Sequence, residues 1–167
     1  MSMLFKIPSL ALCLFLVSGV PSTLIAKSSG AVALKPEGVR VQLELVRKNE
    51  SLSARIAKLP AGKSLYVVFK SLHTLKQPGT LYNVYLNLEE GKTPTTADTP
   101  IGTLNFYNFG GSEQKKSKPD AFFSFNVTGA LKKLGASTEP LFVTIIPAES
   151  PAEGALPSVG QIELVEQ

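Results

Sequence analysis

The residue types that do chemistry are few in this chain and scattered. One histidine is present, His73, in the stretch SLHTLKQPG between an apolar run and a turn. A lone imidazole builds no multi-histidine metal site. A serine–histidine–acid triad needs a nucleophile in its own setting, and no G-x-S-x-G motif accompanies His73. The thirteen carboxylates are dispersed, and the adjacent pair Glu89-Glu90 reads as a solvated turn. Gly110-Gly111 lacks the Gly-Lys-Ser/Thr and the following helix of a phosphate loop. Asn126-Val127-Thr128 matches a glycosylation sequon but reads as a strand end followed by a helix cap. Cys13 is the single cysteine, and Met1 and Met3 are the only methionines. This inventory points away from an enzyme and away from a cofactor or metal site.

The ends of the chain and its charge set the class. Lys6 precedes the apolar run Pro8–Val20, which is too short to span a bilayer and fits a secretory signal. The expected organisation is a signal peptide over residues 1–33 and one domain over 34–167. Cleavage falls after Ala26 or after the Ala31-Val32-Ala33 triplet. A lipoprotein signal would want a small residue before Cys13, where Leu12 stands. Once processed, the chain would have no thiol and would hold together by its core alone, in a secreted or periplasmic setting. Net charge is +4, with Lys115, Lys116 and Lys118 as the one tight basic cluster. No basic stripe with interleaved aromatics marks a nucleic-acid surface.

The elements that must position any site read as strands. Val39–Val46 alternates, with Val39, Val41, Leu43 and Leu45 on one face. Further runs cover Leu52–Leu59, Ser64–Leu72, Thr80–Leu88, Ile101–Phe109, Ala121–Val127, Leu141–Ile146 and Val159–Val165, with turn residues between them. In Thr80–Leu88, alternation puts Tyr82, Val84, Leu86 and Leu88 in the core and Asn83, Tyr85 and Asn87 on a polar or partner-facing surface. Thr128–Leu134 reads as one short helix, capped by Thr128 and stopped by Gly135. The expected fold is all-β: an antiparallel β-sandwich of about seven or eight strands with one short helix.

The ordered motifs resemble the C-terminal β-sandwich domain of tyrosinases and polyphenol oxidases, the type-3 copper enzymes. Val84-Tyr85-Leu86-Asn87 is similar to the Val-Tyr-apolar-Asn half of a family strand; Leu81, Tyr82 and Asn83 depart from its Lys-Phe-Asp half. IGTLNFYNF at 101–109, FSFNVTGALKKLGA at 123–136, LFVTIIPA at 141–148 and VGQIELVE at 159–166 resemble later family motifs in the same order. The copper-binding catalytic domain of that family has no counterpart here. The resemblance implies a non-catalytic, secreted accessory protein that shields the active site of a separately encoded copper oxidase. Tyr107 and Phe109, ahead of Gly110-Gly111, are its candidate partner-binding residues, together with Tyr85. The alternative is an extracellular ligand-binding or adhesion sandwich that uses the Lys92–Pro100 and Gly110–Asp120 loops.

Overall fold

The computed structural model describes residues 22–95, 97–107, 109, 122–135 and 139–167. Nine strands and two helices follow one another. They are β1 (Thr23–Lys27), β2 (Val32–Ala33), β3 (Val39–Leu45), α1 (Leu52–Ala57), β4 (Leu65–His73), β5 (Tyr82–Leu86), β6 (Gly102–Leu104), β7 (Phe122–Asn126), α2 (Thr128–Leu134), β8 (Leu141–Pro147) and β9 (Ser158–Glu166). All pairings are antiparallel, in the order β6-β5-β8-β3-β1-β9-β4-β7, with β2 also on β9. The expected all-β antiparallel class holds. The two sheet halves are joined along one side by β1 and face each other as a nearly barrel-shaped sandwich.

The alternating residues make the core. Val84, Val143 and Ile145 point inward from one half, and Leu65, Val67, Phe69, Ile162 and Leu164 from the other. Each such apolar side chain contributes about 1.5–3 kcal/mol when fully buried. Leu131 of α2 closes one margin of this core.

Several elements differ from the expectation, each for a local reason. Leu52–Ala57 is a helix, not a strand. Leu52 and Ile56, four residues apart, are its buried pair, and the Ser51 hydroxyl accepts the Ala54 N–H at 3.1 Å. Apolar residues at 52, 54 and 56 satisfy a period of two as well as a helical spacing, and the cap decides. β6 stops at Leu104 instead of running to Phe109. Beyond it Phe106 turns into the core, and the Phe109 N–H donates back to the Phe106 carbonyl at 3.1 Å. Thr128 does not cap α2; its hydroxyl accepts the Leu65 N–H at 2.8 Å and ties the helix to β4.

The sheet also begins ahead of the expected domain boundary at residue 34. β1 pairs with β3 through Ala26–Leu45 and Lys27–Glu44, and with β9 from Thr23–Glu166 to Lys27–Glu163. Ile25 and Ala26 lie in the core. The Ser28 hydroxyl accepts the Ile162 N–H at 3.1 Å and donates to the Gly30 carbonyl at 3.0 Å. Cleavage after Ala26 would cut within this strand, and cleavage after Ala33 would detach it with β2. The apolar run Pro8–Val20 lies outside the described residues.

A chain that starts at Leu34 is therefore expected to lose the cooperative unfolding transition that a chain starting at Ser22 retains. Thermal melts followed by near-ultraviolet circular dichroism compare the two; equal melting curves would mean that β1 is dispensable.

Candidate functional site

The side of the sandwich opposite β1 has no backbone ladder among the described residues. There the end strands β6 and β7 meet through rings instead. Phe125 of β7 lies on Gly102 of β6 so closely that a Cβ at position 102 would overlap its ring. A row of ring contacts crosses this seam. Tyr82 meets Phe106 at 5.5 Å between centroids, Phe106 meets Phe109 at 6.3 Å, and Phe109 meets Phe123 at 6.2 Å. Phe123 then meets Phe125 at 6.3 Å, and Phe125 meets Phe69 at 5.8 Å. Such pairs contribute about 0.5–1.5 kcal/mol each beyond burial. The Tyr82 hydroxyl is buried without a partner among the described residues, and burial pushes its pKa up.

The row separates the two residues that the sequence placed side by side. Phe109 is half-buried inside it, so its ring seals the seam. Tyr107 points outward and is 67% exposed. Its backbone carbonyl accepts the Gln77 side-chain amide at 3.0 Å, and the Phe109 carbonyl accepts the Thr74 N–H at 3.2 Å. Thr74 is buried, and its hydroxyl lies 2.6 Å from the Lys76 carbonyl and 2.8 Å from the Ala155 carbonyl. The Leu75 N–H also donates to the Ala155 carbonyl at 2.8 Å. Three loops, around residues 74–79, 105–109 and 148–157, are thus fastened into one end surface. Its exposed large apolar side chains are Tyr107, Leu75, 58% exposed, and Leu156, 66% exposed. Neither leucine belongs to a periodic run, so the sequence held no signal for them. The sheet ends alone expose them.

Tyr85 is not at the surface. It pairs with Thr144 on the outer face of its sheet and is only 8% exposed. The segment after β5 folds back over that face: Arg40 donates to the Leu88 carbonyl at 3.1 Å, sits 3.3 Å over the Phe142 ring and faces Glu90 at 3.8 Å. A groove remains between Glu89–Pro94 and the outer face, floored by Thr144 and Ile146. The loop beyond it is organised by Asp98. That carboxylate accepts the Thr95 N–H at 2.9 Å, the Lys92 ammonium at 3.0 Å and the Thr95 hydroxyl at 2.8 Å. These bonds hold its pKa down, from the usual 3.8 to about 2.

His73 is exposed at the end of β4, and no group of three metal-ligating side chains occurs among the described residues. Gly110, Gly111 and the lysines at 115, 116 and 118 lie outside the described residues.

No family model matches the sequence, and no curated protein matches it. Solved structures do. The structure of latent apple tyrosinase aligns with a TM-score of 0.52 at 15% identity, covering 81% of this chain and 27% of that one. Latent aurone synthase, a polyphenol oxidase from natural source, aligns with a TM-score of 0.49 at 15% identity, over 78% of this chain and 24% of that one. The chain therefore spans about a quarter of the length of these structures, and the tyrosinase alignment identifies a shared fold.

Two outcomes check this geometry. Gly102→Ala is expected to cost about 1–3 kcal/mol, as overpacking does in a filled core; denaturant unfolding measures it, and an unchanged midpoint would mean that the seam yields. Asp98, depressed in the fold, supports its loop fully above about pH 4 and loses that support as pH falls through about 2. Nuclear magnetic resonance of the Thr95 amide should show a transition near pH 2 that Asp98→Asn abolishes; a midpoint at an ordinary carboxylate value would contradict it.

Proposed function

We propose that this domain is a secreted or periplasmic, non-catalytic accessory partner of a separately encoded tyrosinase-class copper oxidase, whose active-site entrance it covers. The observation that carries this reading is the end surface with Tyr107. A large, outward phenol is held on a backbone fastened to the 74–79 loop, which is in turn fastened to the 148–157 loop, and each of these two loops carries an exposed leucine. A fastened aromatic with apolar neighbours is the type of residue that anchors interfaces, because little conformational freedom is lost on docking. The shared fold with part of a tyrosinase described as latent supports the choice of partner.

The mechanism is steric. The apolar end seats on the rim of the enzyme's pocket. The Tyr107 ring occupies the space of a phenolic substrate, while Leu75 and Leu156 exclude water around it. Phe109 supports the turn from behind by packing on Phe106 and Phe123. The domain contributes no proton transfer and no copper ligand in this scheme.

A second reading, an extracellular ligand-binding module without an oxidase partner, has one observation in its favour. The groove between Glu89–Pro94 and the outer sheet face carries charges of both signs, with Arg40 and Lys92 opposite Glu37, Glu89 and Glu90. It lies on one of the loops that the sequence singled out for that alternative.

Titrating the protein into a tyrosinase from the same source, with diphenol oxidation recorded optically, tests the first reading. Inhibition should saturate, and Tyr107→Ala should weaken it by about thirtyfold, the effect of losing an interface anchor worth about 2 kcal/mol. Unchanged oxidation at the highest domain concentration would refute the reading.

A further inference from the structure

β7 is the end strand of the sheet, and among the described residues nothing pairs with its outer edge. Its five residues, Phe122–Asn126, carry no charge and no proline, the usual devices that keep an end strand from pairing. β6, the other end strand, has only three residues.

The direction of its free hydrogen-bonding groups follows from one bond. The Val127 N–H donates inward to the Leu65 carbonyl at 2.8 Å. With a strand period of two, the amides and carbonyls of Phe125 and Phe123 point the same way, toward β4. Those of Phe122, Ser124 and Asn126 point out from the edge. The side chains alternate too: Phe122, Ser124 and Asn126 are exposed, whereas Phe123 and Phe125 are half-buried on the core side.

We propose that β7 pairs antiparallel with β7 of a second copy of this chain, about a two-fold axis through Ser124. Centring on Ser124 makes every outward group find a partner. Ser124 meets Ser124 of the second copy, and Phe122 meets Asn126 of the second copy in both directions. All three are hydrogen-bonded pairs. The same register sets Phe123 opposite Phe125 of the second copy, twice, in the closely spaced non-hydrogen-bonded positions where cross-strand aromatic pairs interact most strongly. The half-exposed rings of the seam are then covered on the core side, and no charge is buried. Another extended peptide could satisfy the backbone, but this sequence supplies the matching aromatics by its own symmetry. The inference stands on the strand edge and not on the oxidase reading.

The test is a site-directed crosslink in the full chain with Cys13→Ser, so that the introduced thiol is alone. In a hydrogen-bonded antiparallel pair the Cα atoms lie about 5.5 Å apart, within reach of a disulfide. Ser124→Cys should therefore give a covalent dimer as the main product on mild oxidation. Phe122→Cys, just as exposed but facing Asn126 of the second copy, should give little. In parallel, sedimentation should show the native chain dimerising between about 1 μM and about 1 mM. Ser124→Pro, which removes only an outward N–H, should fold by circular dichroism and sediment as a monomer. A native chain that stays monomeric, equal crosslinking at positions 122 and 124, or a folded Ser124→Pro that still dimerises would each overturn the pairing. If Ser124→Pro does not fold, the cysteine pair decides.

Discussion

The architecture depends on the double pairing of β1. The strand has five residues, yet one edge holds β3 and the other holds β9. Its neighbours belong to different halves of the sandwich, so β1 is what turns two sheets into one continuous surface. The link to β3 is thin, two residue pairs against the four made with β9. Side chains supply what the ladder lacks. Ile25 and Ala26 are driven inward, and Ser28 locks the exit of the strand onto β9. With that side closed by hydrogen bonds, the opposite side has to close by other means.

Those other means are rings. A glycine on one end strand and a phenylalanine on the other allow the two halves to approach without a shared ladder. The aromatic row then transmits that contact from Tyr82 to Phe69 through the middle of the seam. This division of labour explains why Tyr107 and Phe109, two residues apart, have opposite environments. One ring completes the seal, and the chain must reverse to bring it there. The reversal throws the other ring outward. The same turn is fastened to Thr74 and Gln77, so the outward ring has a fixed base.

Much of this was legible in the residues. The strict alternation of β3, the apolar stretch of β8 and the Pro/Gly punctuation between runs all predicted strands that exist. The period of two in β5 correctly sent Tyr82 and Val84 inward. It failed for Tyr85, because alternation reports which face a side chain takes and not what later covers that face. The loop over Tyr85 is held by Arg40, more than forty residues earlier, and local pattern carries no trace of it. α1 was hidden because Leu52 and Ile56 suit either period. β1 was hidden by context: its residues TLIAK follow an apolar leader-like run, and composition alone does not tell a strand from the tail of such a segment. The loops of Leu75, Leu156 and Tyr107 are tied together only by hydrogen bonds between distant segments.

The pairing of the first strand with the last has a kinetic side. Thr23 lies opposite Glu166, and Gln167 exchanges backbone hydrogen bonds with Ser64. During synthesis, β1 emerges first and must wait for β9, almost the whole domain later. Until β9 is available, the site that Ile25 and Ala26 enter is incomplete, and the two halves remain unjoined. Contacts of such long sequence separation slow folding and lengthen the exposure of apolar segments. β1 therefore settles only once β9 is present to pair with it, and the sheet cannot be completed progressively from its first strand.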